Sequence, residues 1–407
     1  MTRDGRLLLV GRALRTFGFG YLSVILALYL ASQGLTAPQI GGVFTATLIE
    51  DALATSLLAA VADRVGRRRI LILTPLLITL AGSALALARH PGVLIVAVVI
   101  GTLSPGGQEA GPFSPLEQAA LPETVRSEAR TRAFAWYNIA GFLPAALGAL
   151  AAGLWLTAAR ALGIPESAAY RGLLWLYAAS GAVLSLLYTR LSPAVEAREQ
   201  PSEARPALLG LHRSRAVVFQ LAGLQAVDAL AGGFVVQSLL VYWFHLRYGV
   251  GPEVLGPLFF GTNLLSAASF LVAARAAERI GLLNTMVFTH LPSNVLLALV
   301  PLMPGLPLAA ATLLARHLLS QMDVPTRQAY AMALVTPDER SAAAGFTTSA
   351  RALAQAAAPV FSGFALATTA TGLPFFLAGG LKIVYDLTLY FRFRRVPLPA
   401  EAGTSEQ

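Results

Sequence analysis

Between two long apolar runs the chain reads Ala59-Ala60-Val61-Ala62-Asp63-Arg64-Val65-Gly66-Arg67-Arg68-Arg69. Five charges fall in the seven residues from Asp63 to Arg69, and the apolar run resumes at Ile70. Charges are costly at the centre of a bilayer, so a run that stops here and then resumes has left a low-dielectric medium and re-entered it. The stretch reads as a tight loop between two membrane-spanning helices. A weaker copy follows 215 residues later as Ala274-Arg275-Ala276-Ala277-Glu278-Arg279-Ile280-Gly281, with Glu278, Arg279 and Gly281 in the places of Asp63, Arg64 and Gly66. The chain is a doubled unit.

Composition supports a membrane protein. Of 407 residues 56% are apolar and 13% charged, against roughly 25% charged in a soluble domain. A spanning helix needs about 20 mainly apolar residues. Twelve such segments occur, at 6–31, 38–62, 69–88, 92–121, 130–157, 170–190, 214–244, 252–276, 281–303, 307–335, 340–365 and 371–392. The basic amino terminus is read as the opening of span 1 and not as a removed signal peptide, because Arg12 and Arg15 interrupt its apolar run and no small-residue cleavage site follows. The fold class is therefore all-α with twelve transmembrane helices in two six-helix bundles. Residues 1–190 form the first bundle, 191–213 a cytoplasmic linker, 214–395 the second bundle and 396–407 a cytoplasmic tail. The linker is Pro-, Glu- and Arg-rich, the composition of a solvated segment.

The net charge of +9 is topological. When the 30 basic residues are assigned to alternate sides of the spans, 20 fall on the side of both termini, 4 on the other, and 6 within spans. The positive-inside rule makes the first side cytoplasmic. Membrane lipids, and no nucleic acid, are the partners this implies. The 29 arginines to one lysine, with abundant alanine, suggest a GC-rich bacterial genome, hence a multi-pass protein of the plasma (inner) membrane with both termini cytoplasmic. A monomer is expected.

The repeat extends beyond the loop. Gly34 and Gly42 correspond to Gly249 and Gly256 at offsets of 215 and 214, and Pro115, Gln118, Val125, Glu128 and Arg130 correspond to Pro325, Gln328, Val335, Asp338 and Arg340 at 210. Pro144 and Gly148 match Pro359 and Gly363 at 215, a candidate hinge pair in spans 5 and 11. An even number of spans keeps its orientation on duplication, which predicts a pseudo-twofold axis along the membrane normal and a site where the repeats meet.

Twelve spans in two parallel halves, a polar central linker and the Asp63-Arg64-x-Gly66-Arg67-Arg68 loop together resemble the major facilitator superfamily (MFS) of secondary transporters. The loop resembles the family signature G-x-x-x-D-R-x-G-R-R, with Ala59 in place of the leading glycine. The resemblance implies a gating role for Asp63, Arg64, Gly66, Arg67 and Arg68, and for their copies Glu278, Arg279 and Gly281. It implies that Asp63 meets the amino end of span 11 near Arg340 to Ala344, and that a loop arginine pairs with Glu117 or Glu123 in span 4. Two features depart from family patterns: span 4 lacks the arginine of R-x-x-Q-G before Gln108, and span 5 keeps only Pro144 and Gly148 of the antiporter run.

In that family spans 1, 4, 7 and 10 line the central cavity, and each here carries an ionisable residue near mid-depth: Arg15, Glu109, Asp228 and Asp323. Span 2 adds Glu50 and Asp51, about 18 Å from its charged end at 1.5 Å per residue. Span 4 holds four glycines and three prolines between Gly101 and Pro115; backbone freed in this way is tolerated only where protein or a wet cavity satisfies it. A desolvated carboxylate can take up a proton near neutral pH, which makes Glu109, Asp228 and Asp323 candidates for proton coupling. The competing reading is fixed ion pairing: Asp323 with Arg327 at i, i+4, or Arg15 with Glu50 or Asp51. His317 is expected as a hydrogen-bonded structural histidine, Lys382 as a shielded partner of Asp386, and Gln237, Tyr242, Trp243 and His245 as an interfacial belt. The amides Asn138, Asn263, Asn294 and Gln355 are read as bridges between helices or contacts to solute.

No nucleophile elbow, Walker A loop or metal-ligand spacing is present, and there is no cysteine. No enzyme activity, cofactor or metal is expected. The reading is a transporter of a small organic solute working by alternating access, coupled to protons in the direction of efflux. Uptake by symport or facilitated diffusion is the alternative, and a non-transporting sensor or assembly protein on the same scaffold is the alternative of another class.

Overall fold

The computed structural model describes residues 2–107, 113–125, 130–196, 214–335, 339–368 and 371–395. Among them the regular structure is helical, with no strand. The helices are α1 (Arg3–Ser32), α2 (Ala37–Val65), α3 (Arg67–Leu87), α4 (Pro91–Ile100), α5 (Phe113–Ala120), α6 (Arg130–Ala161), α7 (Glu166–Tyr188), α8 (Arg215–Gly233), α9 (Gln237–Tyr248), α10 (Pro252–Ile280), α11 (Leu282–Leu299), α12 (Leu306–Leu319), α13 (Asp323–Ala333), α14 (Arg340–Leu366) and α15 (Leu373–Phe393). Nine stretches of the described residues are long and apolar enough to cross a membrane. The other three expected spans are the interrupted pairs α4/α5 and α12/α13, and α14, whose Ala, Ser, Thr and Arg content lowers its apolarity. Large apolar side chains such as Leu80, Leu271 and Phe391 point outward, each more than 60% exposed, while arginines and aspartates lie inside. Polar groups in and hydrocarbon out is the arrangement a lipid solvent selects.

Helix boundaries reproduce the repeat. Helices α2 and α10 have 29 residues each, begin 215 positions apart, and end at glycines of positive φ, Gly66 at 103° and Gly281 at 84°. That backbone region is costly for side-chain-bearing residues. Span 7 breaks between α8 and α9, which the sequence reading did not expect. Paired Gly232 and Gly233 weaken the helix there, and a Cβ on Gly233 would lie 2.2 Å from the carbonyl oxygen of Gln355.

Contacts divide the chain into two compact units. The first contains Met1–Gln200, Val236–Leu264 and Pro359–Thr369; the second contains Pro201–Val235, Leu265–Ala358 and Ala370–Gln407. The first unit thus includes α9, the first half of α10 and the last turns of α14. It is held by close backbone crossings: a Cβ on Gly41 would sit 2.4 Å from the Pro359 carbonyl oxygen, and one on Gly256 would sit 2.7 Å from that of Ala149. Gly41 faces Gly363, and Gly256 faces Gly153. The packing therefore makes Gly153 the counterpart of Gly363, at an offset of 210, in place of Gly148 at 215. The register continues the sequence correspondence of Arg130 with Arg340. Gly148 packs elsewhere in the first unit, where a Cβ would meet the Phe17 carbonyl oxygen at 2.1 Å, and Pro144 and Pro359 lie inside continuous helices.

Candidate functional site: two buried charge clusters

In the first unit the side chains of Arg15 and Glu117 are both fully buried. Arg15 Nη1 donates to Glu117 Oε1 at 2.8 Å and Nη2 to Oε2 at 2.9 Å. The Tyr188 hydroxyl donates to Oε1 at 2.5 Å, and the Tyr137 hydroxyl to Oε2 at 2.9 Å. The fork geometry of the guanidinium matches the carboxylate, and the two phenols complete its coordination. Arg15 also lies over the Phe113 ring at 4.3 Å, and Arg12 over the Tyr137 ring at 3.7 Å. One knot pins α1, α5, α6 and α7.

This overturns two expectations. Glu117 is not available to the Asp63–Arg69 loop, because all its acceptor capacity is spent on Arg15, Tyr137 and Tyr188. Arg15 pairs with Glu117 and not with Glu50 or Asp51. Those two are half-buried on α2, and Glu50 Oε2 has no hydrogen-bond partner among the described residues.

In the second unit Asp228 of α8 is buried among three cations and a histidine from four other helices. Lys382 Nζ of α15 stands 2.5 Å from Oδ1; Arg351 Nη1 of α14 and Arg327 Nη1 of α13 stand 3.1 and 3.3 Å from Oδ2. His290 Nε2 of α11 is 3.9 Å from Oδ1. Arg327 also holds Asp323 at 2.5 Å, the i, i+4 pair expected from spacing. Asp386 accepts from Asn294 Nδ2 at 2.9 Å and pairs with His290 Nδ1 at 2.8 Å. Lys382 therefore does not pair with Asp386 one turn away, as the sequence suggested: it reaches a carboxylate on another helix, and His290 with Asn294 takes its place.

The repeat adds a relation. Glu117 and Arg327 correspond at the offset of 210, and Asp228 lies within two residues of the equivalents of Arg15. The span 1–span 4 ion pair of one repeat recurs as a span 7–span 10 pair with its charges exchanged.

Other candidates fall as follows. Glu109 lies outside the described residues, as do the side chains of Asp63, Arg64 and Glu123. Gly66 ends α2, its N–H donating to the Ala62 carbonyl at 2.9 Å. The Arg67 backbone N–H donates to Glu196 Oε2 at 2.6 Å, and Arg68 Nη2 to the Thr189 carbonyl at 2.8 Å. Glu196, read from the sequence as part of a solvated linker, is instead the anion at the amino end of α3, where the helix dipole favours it. Glu278 and Arg279 are exposed. In the first unit the breaks of spans 4 and 7 meet: Ser238 N donates to the Pro105 carbonyl at 2.9 Å, and Gln237 Nε2 to Ser23 Oγ at 2.6 Å. Gln237 belongs to this junction and not to an interfacial belt. Sequence reasoning missed Tyr137, Tyr188 and His290, since nothing in their local sequence marks a tyrosine or histidine as a charge partner.

Residues 8–321 match the family described as Major Facilitator Superfamily. The chain belongs to that superfamily. An uncharacterized membrane protein of Saccharomyces cerevisiae is 26% identical over 96% of this chain and 94% of its own length. A probable 4-methylmuconolactone transporter of Cupriavidus pinatubonensis is 25% identical over 68% of this chain and 63% of its own. Among solved structures, a D323A mutant of the nucleoside transporter NupG superposes with a TM-score of 0.76 at 14% identity, covering 96% of this chain and all of that one. The D-xylose-proton symporter superposes at 0.69 and 14% identity, covering 97% and 98%. At such identities the likeness is one of fold. The protein is an all-α integral membrane protein with the MFS fold, a secondary transporter by family.

Proposed function

We propose that this MFS protein moves a small organic solute across the membrane by alternating access between two six-span bundles, 1–190 and 214–395, and that solute movement is coupled to protons in the direction of export. The observation that supports coupling is the sharing of Asp228. Two carboxylate oxygens serve three cations and a histidine from α11, α13, α14 and α15, so displacement of any one helix redistributes charge among the rest. A carboxylate whose partners exchange during the cycle is one whose proton affinity changes with the cycle. Glu109, Asp323, Glu50 and Asp51 belong to the same proposed cavity set. Asp63, Arg64, Gly66, Arg67 and Arg68, with Glu278, Arg279 and Gly281, form the proposed gate. The chain sits in the plasma membrane as a monomer with both termini cytoplasmic, in line with its arginine distribution. The name of the 25% identical relative supports a small organic solute.

The test is flux in proteoliposomes under an imposed pH step. Asp228→Asn is expected to abolish pH-driven accumulation while leaving solute exchange at equal pH within about threefold of wild type. Accumulation that survives in Asp228→Asn removes Asp228 from coupling. A pH step that drives only uptake reverses the proposed direction.

A further inference from the structure

A second polar group in the second unit feels the charges of Asp228 and Asp323 through space but makes no hydrogen bond to the Asp228 cluster. On α12, Arg316 Nη1 stands 3.1 Å from His317 Nε2, and His317 Nδ1 stands 3.0 Å from Ser266 Oγ of α10. A guanidinium has donors only, so His317 Nε2 accepts and His317 Nδ1 carries the proton. The imidazole then donates to Ser266 Oγ, and the Ser266 hydroxyl hydrogen points elsewhere.

One turn further along the same two helices the pattern continues. Ser269 follows Ser266 at i+3, and Ser320 follows Arg316 at i+4, its backbone N–H bonded to the Arg316 carbonyl at 3.0 Å. Helices α10 and α12 are separated by one intervening span and run in the same direction, so both serines lie on the same side of the Ser266–His317 bond. Ser269 is fully buried and Ser320 is 5% exposed. Neither hydroxyl has a hydrogen-bond partner among the described residues, and the buried Arg316 Nε has none either. Buried polar groups are nearly always satisfied, by protein, water or ligand. Here the unsatisfied set is the Arg316 Nε–H and the hydroxyls of Ser269 and Ser320, beside the free hydrogen of the Ser266 hydroxyl, a set rich in donors.

The charge balance points the same way. Asp228, Asp323 and Asp386 have partners in Lys382, Arg327, Arg351, His290 and Asn294. Asp228 and Asp323 act on Arg316 through space, but among the described residues no carboxylate stands within ion-pair distance of it. We infer that Arg316, with Ser266, Ser269 and Ser320, binds a carboxylate group of the transported solute, and that His317 is a positioning residue that aims the guanidinium and turns the Ser266 hydroxyl toward the anion. The inference rests on the transporter reading and narrows its substrate class to organic acids.

Three acids (hexanoate, benzoate and cis,cis-muconate) and their amides serve as probes, with thermal unfolding of the detergent-solubilised full chain and proteoliposome flux as readouts. At least one acid is expected to raise the unfolding temperature and to be transported in preference to its amide. Arg316→Gln is expected to weaken that acid about 30-fold, the worth of charge-assisted hydrogen bonds, and Ser269→Ala several-fold in a background where Arg316 is intact. His317→Gln, which can hold Arg316 through its amide oxygen, is expected to retain more acid affinity than His317→Leu. Acid affinity unchanged in Arg316→Gln and Ser269→Ala overturns the inference, as does a response to none of the acids. Preferential transport of the amides overturns it while the transporter reading stands. Acid binding lost in Arg316→Gln, but without flux of any probe, keeps the site and overturns transport.

Discussion

The Arg15–Glu117 knot and the Asp228 cluster occupy related places in the two repeats and solve the burial of charge in opposite ways. In the knot one carboxylate is saturated by one bidentate arginine and two phenols, with both charged side chains fully buried. In the cluster one carboxylate is shared among cations from several helices, and the Arg351 side chain is still 27% exposed. The partners of Glu117 also contact one another and neighbouring rings, Arg15 Nη1 reaching the Tyr188 hydroxyl at 3.3 Å and the guanidinium lying over Phe113. Two partners of Asp228 have another carboxylate within reach, Arg327 in Asp323 and His290 in Asp386. Duplication supplied the same pair of positions twice; exchange of the acid and base, and extra cations from α14 and α15, made one copy rigid and the other able to redistribute charge.

The largest expected effect breaks the knot. Glu117→Gln leaves the Arg15 guanidinium buried without its anion, and removal of one partner of a buried pair costs about 3–5 kcal/mol. Unfolding in detergent by denaturant or heat measures it. Tyr137→Phe, which removes one neutral donor, is expected to cost only about 1 kcal/mol. If Glu117→Gln proved as mild as Tyr137→Phe, the knot would be no more than a packing contact and the contrast with Asp228 would fall.

A smaller effect is expected on the other side. Lys382→Met removes one of several cations, and Asp228 keeps Arg327 and Arg351. A cost of about 1–2 kcal/mol is expected in the same unfolding assay, with a roughly tenfold loss of pH-driven flux, the equivalent of about 1.4 kcal/mol. A loss of stability as large as that of Glu117→Gln would mean that Lys382 is the sole effective counter-ion and that the charge is not shared.

Much of the architecture was legible because the bilayer imposes simple rules. Charged breaks such as Asp63–Arg69, the repeat offsets of 215 and 210, and the glycines at 66 and 281 mark spans and turns through burial cost and backbone geometry alone. Span 4 announced its interruption through Gly101, Pro105, Gly106 and Gly107. The partners of the buried charges were not legible. The sequence offered Arg15 the partners Glu50 and Asp51, and the choice of Glu117 depends on where α5, α6 and α7 meet, through Tyr137 and Tyr188, which periodicity does not encode. Lys382 and Asp386 are neighbours on one helix face by spacing, yet His290 and Asn294 from α11 compete for Asp386. Glu196 was concealed by its setting: acidic, proline-flanked composition reads as linker whether or not one carboxylate turns back onto a helix terminus.

That last residue gives the smallest and cleanest test of how the first unit is held. Glu196 accepts the Arg67 backbone N–H at the start of α3, the work of a capping anion, so Glu196→Ala is expected to cost about 1 kcal/mol. Glu196→Gln retains the acceptor but not the charge and should recover part of it, with the remainder screened by salt because the site is only half-buried. The cap shares no residue with the Arg15–Glu117 knot. In the double variant Glu117→Gln/Glu196→Ala the two losses should therefore add to within about 0.5 kcal/mol. A coupling larger than that would tie the end of α3 to the buried pair and extend the rigid element from one knot to the whole charged end of α2, α3 and α7.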